Sequence, residues 1–120
     1  MNKIITPLLS GVFSALLLCA GSAVASGNID AGKALTEKYS CAACHGVGFN
    51  APIDPSYPKL AGQHKDYIAH ALTAYKRGDG PNGRNNAIMG GQVKPLSDQD
   101  IKDLAAYLSS LPTTLAIVHR

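Results

Sequence analysis

Two cysteines and a histidine stand within five residues of one another, in the segment Cys41-Ala42-Ala43-Cys44-His45. The chain of 120 residues contains only three cysteines and four histidines, so this segment concentrates both types. The spacing Cys-x-x-Cys-His is typical of covalent attachment of a c-type haem. In that chemistry the two thiols form thioethers with the vinyl groups of the porphyrin, and the adjacent imidazole coordinates the iron. The motif therefore predicts that Cys41 and Cys44 hold haem c and that His45 is an iron ligand.

Other uses of two closely spaced cysteines fit the sequence less well. A structural zinc site needs four ligands, commonly from a second Cys or His pair, and no such pair occurs elsewhere in the chain. A thioredoxin-like redox motif is expected between alternating strands and helices, and no alternating strand pattern is visible. A disulfide across two residues would be strained and easily reduced.

The first 25 residues have the pattern of a secretory signal peptide. Lys3 is followed by an apolar run over Leu8–Ala20, and Ala23-Val24-Ala25 is a small-x-small cleavage site. The apolar run is shorter than the roughly 20 residues that a membrane-spanning helix needs. An uncleaved membrane anchor is the alternative. We therefore expect cleavage near Ala25, a periplasmic domain over 26–120, and no stable membrane insertion of the mature chain.

The distribution of charge bears on possible partners. The expected mature chain has a net charge of only +2, which does not favour nucleic-acid binding. Six basic residues and two acidic residues lie between Lys59 and Lys94. The basic region Lys59–Arg84 is therefore either ordinary solvated surface or a docking site for a redox protein partner.

The periodicity of apolar residues predicts an all-α domain with three main helices. These helices are Ile29–Tyr39, Lys65–Arg77 and Asp98–Ser110. Two long Gly- and Pro-rich loops, Gly46–Pro58 and Gly78–Pro95, separate them. Loops of this length in a small domain usually carry function or wrap around another group. A large apolar cofactor would complete an otherwise thin core.

Three residue types mark the expected helix ends. Asn28 and Ser97 are good N-caps, and Gly78 is placed to end the middle helix. Apolar side chains then recur along one face of the middle helix and one face of the last helix. These side chains are Tyr67, Ile68, Ala71, Leu72 and Tyr75 in the middle helix, and Ile101, Leu104, Ala105, Leu108 and Leu111 in the last.

A second axial ligand to the iron can be sought among the remaining side chains. Met89 is the only methionine after the expected cleavage, and it lies in the segment GRNNAIMGG. A lone methionine flanked by Gly and Asn is a poor core residue, and Met/His is a known pairing of haem ligands, so Met89 is the favoured candidate. His64 and His70 are alternatives, although both positions favour solvent-exposed histidines.

The order of these segments resembles the class I cytochromes c of bacterial periplasms, in particular single-haem members and the half-units of two-haem members. The resemblance covers the expected mature chain through the segments GKALTEKYSCAACHG, YPKLAGQHKDYIAHALTAYKRG, NAIMGG and LSDQDIKDLAAYLSSL. It implies a small class I cytochrome c fold with long loops around a covalent haem, with His45 and Met89 as axial ligands. It also implies that the carbonyl of Pro58 accepts a hydrogen bond from His45, and that Gly32 allows the first helix to approach Tyr107.

The expected function is one-electron transfer between respiratory or dehydrogenase partners, without catalysis, because a haem with two protein ligands has no open position for a substrate. Two alternatives remain. The chain could be a dedicated cytochrome subunit of a periplasmic dehydrogenase. It could also be a haem enzyme or gas sensor in which Met89 is displaced from the iron.

Overall fold

A computed structural model describes residues 26–114, and in this part of the chain all regular structure is helical. There are five α-helices: α1 (Ile29–Lys38), α2 (Ala42–His45), α3 (Lys65–Arg77), α4 (Ala87–Val93) and α5 (Asp98–Ser110). A short 3-10 helix over Val47–Phe49 follows α2. The predicted all-α class is confirmed. The expected signal peptide, residues 1–25, lies outside the described residues.

The three predicted helices are present, and their ends follow from identifiable caps. The side chain of Asn28 accepts a hydrogen bond from the N–H of Ala31 at the start of α1. Helix α1 ends one residue earlier than predicted, because Tyr39 already has non-helical backbone angles and caps the preceding turn. Helix α3 has the predicted bounds and stops at Gly78, whose φ of +58° is unfavourable for residues with a side chain.

Helix α5 also has the predicted bounds, and a reciprocal capping box fixes its start. The Ser97 hydroxyl accepts a hydrogen bond from the Asp100 N–H at 3.1 Å. The Asp100 carboxylate in turn accepts one from the Ser97 N–H at 2.8 Å. Two backbone donors that the helix leaves unpaired are thus satisfied. The same hydrogen bond from the Ser97 N–H lowers the pKa of Asp100.

Helix α4 was not predicted. The segment Gly78–Pro95 was expected to be a loop, yet Ala87–Val93 is helical. Two adjacent glycines, Gly90 and Gly91, give this segment a weak helix propensity, which explains the error. The helix forms because Asn86 caps it, with its side-chain oxygen accepting the N–H of Met89 at 2.8 Å.

The first and last helices cross in close contact at Gly32. A Cβ atom at this position would lie 2.1 Å from the carbonyl oxygen of Asp103 and 2.7 Å from the Cβ of Tyr107. The expectation that Gly32 allows a close approach to Tyr107 is confirmed. Next to the crossing, the buried carboxylate of Asp103 accepts the N–H of Asn28 at 2.7 Å.

Helix α5 joins two apolar clusters, and its predicted inner face is buried as expected except for the half-buried Leu111. The first cluster consists of Phe49, Ala61, Ile68, Ala105 and Leu108. The second cluster consists of Val93, Leu96, Ile101 and Leu104, and Leu35, Tyr39, Tyr75 and Met89 pack against it. Both clusters are small, in agreement with the thin core predicted from the sequence.

Candidate haem site

The short helix α2 carries the cysteines and the histidine of the CAACH motif. It follows α1 after a tight turn in which Ser40 has a positive φ of 51°. The N–H of His45 bonds to the carbonyl of Cys41 at 3.1 Å, so both thiols and the imidazole belong to a single helical turn. Gly46 then reverses the chain with a φ of +82°. A Cβ at Gly46 would lie only 1.9 Å from the carbonyl oxygen of Ala51, so no side chain fits there.

The two cysteines occupy different surroundings. Cys41 packs against the cluster around Phe49, and this burial raises the pKa of its thiol. Cys44 lies on the wall of a cavity that also includes His45. Both thiols are free. They are therefore available for bonds to another group.

The imidazole of His45 is buried, with only 7% of its surface exposed. Its Nδ1 lies 3.0 Å from the carbonyl oxygen of Pro58. Because a carbonyl oxygen can only accept a hydrogen bond, this contact places a proton on Nδ1, and in the neutral imidazole the lone pair of Nε2 is then free for a metal. The structure thus brings Pro58 to the position that the sequence resemblance implied.

The loop that contains Pro58 is fastened to the core through Phe49. The carbonyl of Phe49 accepts the N–H groups of both Leu60 and Ala61, at 2.9 and 3.1 Å. The Phe49 ring is itself buried and packs edge-on against Tyr107, with 6.3 Å between the ring centroids. This packing holds the Pro58 carbonyl against His45.

One cavity brings most of the predicted site residues together. Cys44, His45, Pro58 and Met89 all contribute to its wall. Most of the remaining wall is apolar, and it includes Leu60, Ile68, Ala71, Leu72, Ile88 and Leu108. The apolar face predicted for α3, Tyr67–Tyr75, therefore faces the cavity as well as the protein core. A flat apolar cofactor with a metal at its centre fits this wall, because imidazole and thioether ligands are both present.

Met89 is half-buried near the start of α4. Its backbone N–H is held by Asn86, and its side chain packs against the second apolar cluster. His64 and His70 are both exposed, and neither is among the residues of the cavity wall. Among the candidates for the second axial ligand, the structure brings only Met89 to the cavity.

The interaction of Arg84 with two tyrosines on the cavity wall is not predicted from the sequence. The guanidinium of Arg84 lies over the rings of Tyr67 and Tyr75, at 5.6 and 5.5 Å from their centroids. All three residues contribute to the cavity wall. Helical spacing predicted that both tyrosines share a face of α3, but no local signal connects Arg84 with them.

The basic region is not uniform. Lys59, Lys65, Arg77 and Arg84 are exposed. Lys76 is also exposed, but it donates a hydrogen bond to the carbonyl of Leu96 and lies 4.0 Å from the carboxylate of Asp98. The charge of Lys76 is therefore partly compensated by contacts within the domain.

Residues 26–114 contain neither a membrane-spanning helix nor a cluster of side chains that could bind a metal ion. No helix there is both long enough and apolar enough to span a membrane. Within the same range, no group of three or more His, Cys, Asp or Glu side chains is placed to bind a metal ion.

Comparison with known proteins gives consistent matches. The family model for cytochrome c matches residues 29–112. The chain is 42% identical to cytochrome c4 of Stutzerimonas stutzeri over 115 residues, which covers 92% of this chain and 51% of that protein. It is 43% identical over 75 residues to the thiosulfate dehydrogenase electron acceptor of Thiomonas intermedia strain K12, covering 62% of this chain and 33% of that protein.

Among solved structures, reduced recombinant cytochrome c4 from Pseudomonas stutzeri matches with a TM-score of 0.65 and 40% identity. The match covers 75% of this chain and 48% of that one. The chain thus spans about half the length of the cytochromes c4 that it matches.

The family match and the cavity support the same conclusion. The Cys-x-x-Cys-His spacing and the apolar cavity beside it fit one covalently bound haem c, which is the cofactor of this domain. With matches over residues 29–112 and the fold of a solved relative, the chain belongs to the cytochrome c family.

Proposed function

We propose that this chain is a periplasmic carrier of single electrons between redox proteins. In this proposal Cys41 and Cys44 form the thioether bonds to the haem, and His45 and Met89 are the axial ligands. The observation that carries the proposal is that His45 and Met89 contribute to the wall of one apolar cavity beside Cys44. The bound haem supplies a one-electron couple at its iron.

His45 and Pro58 fix one side of the site. The hydrogen bond at 3.0 Å orients the imidazole and keeps the proton on Nδ1. Partial transfer of that proton toward the carbonyl makes Nε2 a stronger donor. Since His45 is buried, water does not compete for this hydrogen bond.

Met89 would hold the haem from the other side, and its thioether would then influence the reduction potential. A thioether stabilises ferric iron less than a second imidazole does, so Met/His ligation raises the reduction potential. The hydrogen bond from the Met89 N–H to the Asn86 side chain holds the backbone of Met89 in place and so limits the motion of the Met89 side chain. If His45 and Met89 both bind the iron, the haem would have no position open for a substrate, and we therefore propose that the chain is not an enzyme.

The same proposal includes export and docking. Residues 1–25 act as a cleaved signal peptide, and residues 26–120 form the mature cytochrome c domain. The exposed cations of the region Lys59–Arg84 attract acidic surfaces of donor or acceptor proteins. Lys59 and Arg84 contribute to the wall of the haem cavity, so a partner bound there would lie near the cofactor.

A second candidate function is that of a dedicated electron acceptor or cytochrome subunit of a periplasmic dehydrogenase. It is favoured by the 43% identity with the thiosulfate dehydrogenase electron acceptor of Thiomonas intermedia. Copurification of the chain with a dehydrogenase from its own periplasm would favour this role over that of a free carrier.

The assignment of Met89 can be tested by optical spectroscopy of the haem-loaded protein. The oxidised wild-type protein should show the weak far-red absorption of a sulfur-to-ferric-iron bond, and the reduced protein should bind carbon monoxide slowly. Met89→Ala should abolish that absorption and allow rapid binding of carbon monoxide. If Met89→Ala retains the far-red absorption, another group is the ligand and the Met/His proposal is wrong.

A further inference from the structure

The side chain of Arg84 holds a glycine-containing loop against helix α3. Its guanidinium contacts two aromatic rings of that helix, Tyr67 and Tyr75, and donates a hydrogen bond of 3.4 Å to the Tyr67 hydroxyl. The backbone N–H of Arg84 also bonds to the carbonyl of Ala74, at 2.9 Å. Arg84 is therefore attached to α3 by both its main chain and its side chain.

The chain between Arg84 and Met89 is short and ordered. Only Asn85 separates Arg84 from Asn86, whose side chain accepts the N–H of Met89 at 2.8 Å. The segment before Arg84 contains Gly78, Gly80 and Gly83, which have no side chains that could attach it to α3. The attachment at Arg84 thus adds to the apolar packing of Met89 in fixing the position of this residue relative to α3.

Tyr75 provides a second connection between Arg84 and Met89. Its ring contacts the Arg84 guanidinium, and it packs with Met89 against the second apolar cluster. Among residues 26–114, no carboxylate lies within ion-pair distance of Arg84. The interactions of its guanidinium described above are with the two tyrosines.

We propose that Arg84 is a positioning residue for Met89: clamped between Tyr67 and Tyr75, it fastens the start of α4 to α3 and so disfavours loss of the methionine from the iron. This inference rests on the proposed role of Met89 as a haem ligand. The alternative is that Arg84 acts only through its charge on the cofactor.

The test is competition by imidazole for the position of Met89 in the oxidised, haem-loaded protein, followed by the loss of far-red absorption. Loss of two exposed cation–π contacts corresponds to roughly a tenfold change in such an equilibrium. Arg84→Gln should therefore bind imidazole about tenfold more tightly than the wild type. Arg77→Gln is the matched control, because it removes the same charge from an exposed arginine at the end of α3 and should change binding less than about twofold.

A double-mutant cycle separates the clamp from a pure charge effect. In a Tyr67→Leu background one ring of the clamp is missing, so Arg84→Gln should tighten imidazole binding by only about threefold. An undiminished tenfold effect in that background would show that the charge acts directly on the cofactor and would overturn the clamp.

Two other outcomes are distinguishable. Equal imidazole binding by Arg84→Gln and Arg77→Gln would overturn the role of Arg84 while leaving the proposed electron-carrier function intact. Absence of far-red absorption in the wild-type protein would instead overturn Met89 ligation, and the positioning role with it.

Discussion

Replacement of Gly32 by alanine tests how closely the first and last helices must pack. The new Cβ would lie 2.1 Å from the Asp103 carbonyl oxygen and 2.7 Å from the Tyr107 Cβ, whereas Cβ atoms in proteins essentially never approach another atom within 3.0 Å. A change of rotamer relieves neither contact, because one atom is backbone and the other is the first atom of a side chain. The helices must therefore separate by roughly 1 Å, the difference between these distances.

The cost of this separation can be estimated from three contributions. Overpacking of a core typically destabilises by about 1–3 kcal/mol, and a rigid backbone contact favours the upper part of that range. The hydrogen bond from the Asn28 N–H to the buried Asp103 carboxylate would also lengthen from 2.7 Å. Alanine recovers about 1 kcal/mol through its higher helix propensity. We expect a net loss of about 2 kcal/mol in the free energy of unfolding, or a fall of about 10 °C in Tm.

The measurement is guanidinium-induced unfolding of the oxidised, haem-loaded protein, followed by far-ultraviolet circular dichroism. Gly91→Ala is the matched control, since Gly91 is also helical but a Cβ there would meet no atom within 4 Å. The control should be neutral or stabilising by up to about 1 kcal/mol. If both variants show the same stability, the crossing at Gly32 is not as close as described and the reasoning fails.

Three further predictions concern the iron ligand, a helix cap and docking. Met89→His should abolish the far-red absorption and lower the reduction potential, because imidazole stabilises ferric iron more than a thioether does; an unchanged potential would exclude Met89 as a ligand. The Ser97 N–H lowers the pKa of Asp100, so this carboxylate stabilises the fold above its unfolded pKa of about 3.9, and the contribution is lost as pH falls through the lower folded value. Asp100→Asn should thus cost about 0.5 kcal/mol at pH 7, and this cost should fall as the pH is lowered below about 3.9; a cost that does not change with pH would contradict this assignment. Finally, oxidation by an acidic redox protein should slow as salt is added, and the combined change of Lys65 and Arg77 to Gln should weaken that dependence; a rate independent of salt would leave these residues as ordinary surface.

The elements that the sequence predicts well are those whose signals are local. Helices α3 and α5 have the predicted bounds, because their caps and their apolar periodicity lie within the same stretch of chain. The CAACH motif likewise identifies its own chemistry, since the spacing of Cys41, Cys44 and His45 is set by the attachment reaction.

What the sequence does not predict depends on contacts between distant segments or on weak propensity. Helix α4 was not predicted because Gly90 and Gly91 lower its helix propensity, although Asn86 caps it and Val93 is buried. The clamp between Arg84 and Tyr67 joins residues 17 positions apart, for which no periodic pattern exists. The approach of Pro58 to His45 could be inferred only from family resemblance, because it depends on how the intervening loop folds around Phe49.

The crossing of α1 and α5 also has a consequence for the order of folding. The hydrogen bond from the Asn28 N–H to the Asp103 carboxylate joins residues 75 positions apart. Docking of α1 against α5 therefore closes almost the whole described chain into a ring. Ring closure over this length costs about 4 kcal/mol of chain entropy. Once the ring is closed, later contacts within it need to close only shorter loops, and each costs less entropy. We expect this closure to be the slow event and the cavity to assemble within the ring. Substitutions at the crossing should then mainly slow refolding, whereas those in the cavity wall should mainly accelerate unfolding, a division that stopped-flow kinetics would measure.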